Sequence, residues 1–248
     1  MMSKLCRFGI NMVLYSWEYA MIVVIGGVKG GTGKSTIAVN LTALLASEKR
    51  KVLLVDADEQ GSAADWVEQR ESAQIPTLWT TVRLTGSAVR TQVDKLKSNY
   101  DVIIIDAGGR DTTSQRAALT IADLFIAPFQ PRSLDVWTLG KVSEIVEEAK
   151  ALNPYLKAHT VLNRADTIGS DNATALDILA ENPEISPLTT VIKQRKAFAN
   201  ATAEGLAVFE LKTKDKKAIH EITQFKEIVI DGYSKAKKQA KRGSRKGH

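Results

Sequence analysis

The chain has 248 residues, 44% of them hydrophobic, with one cysteine and a formal net charge of +6. That is enough apolar chain for one large buried core, and a lone Cys6 excludes an internal disulfide framework and fits a reducing compartment. No apolar run approaches the roughly 20 residues needed to span a bilayer as a helix.

The first twenty residues, "MMSKLCRFGINMVLYSWEYA", have a basic start and an apolar middle broken by Asn11, Ser16 and Glu18. No small-residue cleavage site follows, which argues against a signal peptide. Two readings stand: translation begins at Met21, or the leader is a peripheral appendage. After it, β-type apolar runs fall at 22–25, 52–55, 102–105, 124–127, 159–162 and 188–192, with a weaker one, "TLWTTV", near Leu78. Helical patterns lie between most of them, at 35–47, 62–72, 87–98, 112–121, 134–152 and 172–180. Continuous apolar strands alternating with helices predict an α/β fold, a mostly parallel twisted sheet with helices on both faces. The organisation expected is a leader over 1–20, a single domain over 21–234 and a basic, helical C-terminal end over 235–248. Those last fourteen residues hold seven Lys or Arg and no acid, so the remaining 27 basic residues nearly balance 28 acidic ones. Such an end is either a solubilising tail or an electrostatic attachment to a polyanion, DNA first.

The stretch "MIVVIGGVKGGTGKST", residues 21–36, carries the chemistry. An apolar strand enters a glycine turn that opens a helix, and a helix N-terminus presents unpaired N–H groups and the positive end of its dipole. Gly30, Gly31 and Gly33, with Thr32 between them, let those groups wrap a phosphate without Cβ clashes. Lys34 is placed to reach the β- and γ-phosphates, the Ser35 hydroxyl to coordinate Mg²⁺ and Thr36 to meet the α-phosphate. The usual phosphate-loop pattern has Gly where this chain has Val28, and Lys29 is an additional lysine. Strand-end carboxylates suit Mg²⁺ and an attacking water. "VLLVDADEQ" supplies Asp56 and Asp58, and "DVIIIDAGGRD" supplies Asp106.

"KGGTGKST" resembles the deviant Walker A motif of the ParA/MinD family of P-loop ATPases. The likeness extends through "DADEQ" with Trp66, "ADLFIAPFQPRSLDVWTL" and "QRKAFANATAEGLAVFEL", or about residues 21–211. It implies ATP and Mg²⁺ as ligands and a catalytic set of Lys29, Lys34 and Asp58. Lys29 matches the signature lysine that reaches across a nucleotide-sandwich dimer to the partner's phosphates. Asp58 matches the acid that positions the hydrolytic water, and Asp106 the Walker B aspartate. Asp56 supports the metal with Ser35 and Asp106, and Gly108 and Gly109 match a switch segment that senses the γ-phosphate. Adenine-side contacts fall on Asn163, Arg164 and Gln194.

The resemblance further implies a short partition ATPase without an N-terminal helix-turn-helix domain, cytoplasmic and nucleoid-associated. Its partners would be a second copy in an ATP-dependent homodimer, non-specific DNA and a small ParB-like or ParG-like adaptor that stimulates hydrolysis. DNA contacts are expected at Lys235, Lys237, Lys238, Lys241, Arg242, Arg245 and Lys246. The end lacks the large apolar face of a MinD-like membrane anchor, and a lone cysteine excludes the iron–sulfur branch of the superfamily. Positioning of a non-DNA cargo, such as a chemoreceptor array or microcompartment, is an alternative, and a MinD-like membrane ATPase or a superfamily ligase is a further one.

The two lysines are separable by experiment. Lys34→Ala should abolish tight ATP binding in calorimetry. Lys29→Ala should bind ATP normally yet show no ATP-dependent dimer in light scattering.

Overall fold

The structure is a computed structural model that describes residues 20–131, 138–167 and 171–244. Its strands are β1 (Met21–Ile25), β2 (Val52–Ala57), β3 (Thr80–Arg83), β4 (Val102–Ala107), β5 (Leu124–Phe129), β6 (Lys157–Ala165) and β7 (Ser186–Lys193). They form one sheet in the order β3-β2-β4-β1-β5-β6-β7, and every pairing is parallel. The weak run near Leu78 is the edge strand β3, paired among the described residues with β2. None of its four residues is buried, which explains its faint apolar signal.

Parallel strands need crossovers, and here these are helices on both faces. They are α1 (Lys34–Ser47), α2 (Ser62–Ser72), α3 (Ala88–Leu96), α4 (Thr113–Leu119), α5 (Leu139–Leu152) and α6 (Asp171–Ala180). Three more follow: α7 (Lys196–Ala203), α8 (Lys216–Lys226) and α9 (Tyr233–Ser244). Of the expected helix over 134–152, residues 134–137 lie outside the described residues. The strand period of two splits the core into two layers. Met21, Val23 and Ile25 face a layer shared with α1, α2, α7 and α8. Ile22 and Val24 face a layer shared with α3 through α6. β1 is thus buried on both sides, which is why it reads as an unbroken apolar run.

The C-terminal end is tied to the domain. A π-helical segment, Glu227–Gly232, runs α8 into α9, so a boundary between residues 234 and 235 falls inside a helix. Tyr233 donates its hydroxyl to Asp123 Oδ1 at 2.9 Å, and Lys237 Nζ reaches the same oxygen at 3.1 Å. Asp123 Oδ2 meanwhile accepts from the Ile22 amide, at the N-terminal edge of the sheet. Lys237, one of the cations expected to contact DNA, thus pairs with a carboxylate of its own chain while its side chain stays exposed. Arg245 and Lys246 lie outside the described residues.

Sequence inspection missed a second tie. Arg70 on α2 is 3% exposed, and its fork pairs with both Glu210 oxygens at 2.6 and 2.8 Å. It also donates to the Pro76 and Gly205 carbonyls and lies over the stacked rings of Trp66 and Trp79. Removing one member of a buried pair leaves the other uncompensated. Arg70→Ala should therefore cost about 3 kcal/mol, the low end of the usual range because Glu210 is partly exposed. Urea denaturation followed by circular dichroism measures it.

Candidate nucleotide-binding site

All strands point their C-terminal ends to one edge, and the loop after β1, the sheet's central strand, reaches it first. Gly33 stands before α1 in the left-handed region (φ 90°), and no side chain caps the helix. The amides of its first turn are left for a ligand. Gly33 has a second reason to lack a side chain, since a Cβ there would sit 2.2 Å from Asn163 Nδ2.

Gly30, Gly31, Gly33, Lys34, Ser35, Thr36 and Asp58 line one cleft of about 600 Å³. An adjoining cavity of about 390 Å³ shares Gly33, Thr36 and Arg164, and adds Asn163, Gln194 and apolar Ile37, Ile192 and Phe198. A polar cleft continuous with a partly apolar one suits phosphates at one end and a base at the other. Arg164 adopts φ 51° where the β6–β7 register slips, a strained conformation of the kind that clusters at ligand sites.

The acids divide their work. Asp56 and Asp106 are register partners on β2 and β4. Asp56 accepts from the Asp58 amide (3.1 Å) and the Ala64 amide (2.8 Å), so it braces the loop that presents Asp58. Asp106 is fully buried, and neither oxygen has a hydrogen bond of good geometry. Burial pushes its pKa up to about 7, against the pull of the nearby Ser35 hydroxyl and Lys34. A buried carboxylate with no well-aligned hydrogen bond, beside a serine hydroxyl, is a donor set that fits Mg²⁺. Lys34 is 6% exposed, and burial holds its pKa below the usual lysine value although Asp106 and Asp58 oppose this. Its ammonium donates to the Lys29 carbonyl at 2.9 Å.

Three of the expected site residues also make contacts within the protein. Thr32 is buried and serves through its carbonyl, which accepts from Asn163 Nδ2 at 2.6 Å. Asn163 therefore braces the phosphate loop from β6 while also lining the base-side cavity. Lys29 is half-buried beside the glycines, and its carbonyl anchors Lys34. Sequence inspection also missed two glutamines. Gln115, fully buried on α4, accepts from the Gly27 amide at 2.8 Å, and Gln130 donates to the Gly31 carbonyl at 2.9 Å. No motif marks either, since each acts on backbone from a distant strand or helix.

This arrangement defines a P-loop nucleotide-binding protein. The profile of the CobQ/CobB/MinD/ParA nucleotide binding domain matches residues 23–208, and the chain belongs to that family of nucleotide-binding ATPases. It is 33% identical over 218 residues to the maintenance of carboxysome distribution protein A of Halothiobacillus neapolitanus, covering 85% of this chain and 97% of that protein. It is 32% identical over 143 residues to protein ParA of Rhizobium radiobacter, covering 57% and 63%. Among solved structures, an ATP complex of Cyanothece McdA superposes with a TM-score of 0.70 at 19% identity, covering 84% of this chain and 95% of that one. At that identity the likeness establishes the fold.

Gly109 offers a test of the cleft. A Cβ there would lie 2.8 Å from the Gly30 amide nitrogen and 3.0 Å from the Lys29 carbonyl carbon, so backbone must move. Gly109→Ala should weaken ATP binding about tenfold or more in calorimetry while leaving the circular dichroism spectrum unchanged.

Proposed function

We propose that the chain is a positioning ATPase that dimerises on ATP, holds non-specific DNA in that state, and lets go when a cargo-bound adaptor stimulates hydrolysis. The observation that carries this reading is the half-buried Lys29 placed against the phosphate-loop glycines, in addition to the buried Lys34. A cation beside the loop but outside its minimal pattern is suited to a phosphate in a facing subunit, which would make dimerisation depend on the triphosphate.

Lys34 and the α1 amides would hold the phosphates, and Ser35 and Asp106 would hold Mg²⁺, which supplies charge neutralisation at the terminal phosphates. Asp58 lines the phosphate cleft, and its carboxylate also accepts from the Gln60 amide at 3.1 Å, which fixes its direction. It would orient the attacking water, and Asp56 keeps its loop in place. The base would sit against Phe198 and Ile37 with Asn163, Arg164 and Gln194 at the rim.

For DNA, α9 brings Lys235, Lys238, Lys241 and Arg242 onto a helix anchored at Tyr233. A second basic surface accompanies it: Lys212, Lys214, Lys216 and Lys217 are all exposed around the N-terminus of α8. Contacts to phosphate without base-reading groups ignore sequence and weaken steeply with salt. Among the described residues no helix is long and apolar enough to cross a membrane.

Two cargoes fit. A protein-shelled compartment is favoured by the match spanning 97% of a carboxysome distribution protein, and a plasmid or chromosome by the shorter match to ParA proteins. The gene beside this one would discriminate, since an adaptor that binds DNA specifically implies partition.

Asp58→Ala tests the cycle. It should bind ATP and DNA but hydrolyse about 10²–10⁴-fold more slowly, so that ATP traps the DNA-bound form. Wild-type turnover, or ATP-independent DNA binding in a filter assay, would contradict the scheme.

A further inference from the structure

We infer that Arg110 is a further catalytic residue, whose guanidinium contacts the terminal phosphate of the ATP bound in its own chain's cleft. The inference rests on the reading of that cleft as the ATP site.

The backbone places the residue. Gly108 packs on Asp58, where a Cβ would lie 3.1 Å from Oδ1, and Gly109 packs on the backbone of Lys29 and Gly30. The two residues before Arg110 are therefore wedged between the water-orienting acid and the phosphate loop. Arg110 is the first residue of that segment with a side chain. It lines the phosphate cleft together with Gly30, Lys34, Ser35 and Asp58.

Its charge is uncommitted. The obvious partner is its neighbour Asp111, but Arg116 has taken both oxygens of that carboxylate, Nε to Oδ1 at 2.6 Å and Nη2 to Oδ2 at 2.7 Å. The remaining Nη1 of Arg116 turns to Glu148. This fork holds the Asp111 pKa below the usual carboxylate value. Arg110 itself is exposed and makes no hydrogen bond or ion pair among the described residues. An arginine beside an acid that a different arginine has claimed is left for something else in the cleft.

The chemistry of the cleft asks for such a group. Asp56, Asp58 and Asp106 put three carboxylates at the phosphate end, and Lys34 already donates to the Lys29 carbonyl. A guanidinium fork matches the oxygens of a phosphate better than a point charge does. When water attacks, its oxygen bonds to the terminal phosphorus as the bond to the bridging oxygen breaks; ADP leaves with that electron pair, and the water's proton passes to the released phosphate. Negative charge shifts across the oxygens that Arg110 would touch, and a cation fixed there stabilises the transition state. ADP lacks the terminal phosphate, so Arg110 should discriminate between the two nucleotides.

The test titrates Mg²⁺ with ADP, or with the non-hydrolysable AMPPNP, into the full-length wild type, Arg110→Ala, Arg110→Lys and Arg116→Ala by calorimetry, and measures kcat beside it. Arg110→Ala should lose about tenfold in AMPPNP affinity, stay within twofold for ADP, and lose about 10²-fold in kcat. Arg110→Lys should recover part of the AMPPNP affinity but little of kcat, because the charge returns without the fork. Arg116→Ala frees Asp111 to capture Arg110, so it should shift the AMPPNP-to-ADP ratio in the same direction. A ratio unchanged in Arg110→Ala, or equal losses for both nucleotides, would overturn the role of Arg110 alone. Failure of the wild type to bind either nucleotide would overturn the cleft as well.

Discussion

A fully buried carboxylate with no donor of good geometry is expensive, and the phosphate end of this protein is arranged around one. Asp106 sits at the end of β4, and burial drives its pKa upward. Lys34 is buried nearby, and burial drives its pKa downward. Each therefore leans toward its neutral form within the protein alone. A divalent cation at Asp106 and a triphosphate at Lys34 would add opposite charge beyond the partial compensation that the two groups give each other. Nucleotide affinity and metal dependence would then share one electrostatic origin.

The sheet makes that placement possible. β1 lies between β4 and β5, so the loop leaving β1 emerges next to Asp106 on one side and near Gln130, just beyond β5, on the other. Three side chains from separate elements then grip the loop through its backbone: Gln115 from α4, Gln130 after β5 and Asn163 from β6. Asp56 does the same for the turn carrying Asp58. Arg70 extends this bracing outward, joining α2, whose Trp66 lines the cleft, to the Gly205 segment that follows α7. Rigid presentation of loops by side-chain-to-backbone contacts suits a site that must bind charge without reorganising.

Much of this could be read from residues alone, for definable reasons. Strands buried on both faces announce themselves as continuous apolar runs, and glycines before Lys34 have few uses other than approach to a ligand. β3 was faint because an edge strand with half-exposed side chains lacks that signature. The Lys237–Asp123 pair was hidden because a basic run says nothing about which cation meets an internal acid, and Asp123 is 114 residues away. Gln115, Gln130 and Arg70 were invisible for the same reason: their partners are distant in sequence, and most of those partners are backbone. Arg110 could have been noticed only by knowing that Arg116, not Arg110, holds Asp111.

The electrostatic claim is tested most directly by replacing Asp106 with the isosteric Asn and recording thermal unfolding with and without Mg²⁺ and ADP. If an unpaired buried charge is retained for the metal, Asp106→Asn should melt no lower than the wild type when ligands are absent, and it should lose the additional stabilisation that Mg²⁺ gives the nucleotide-bound wild type. A ligand-free variant markedly less stable than the wild type, or one that keeps its full Mg²⁺-dependent shift, would contradict the account.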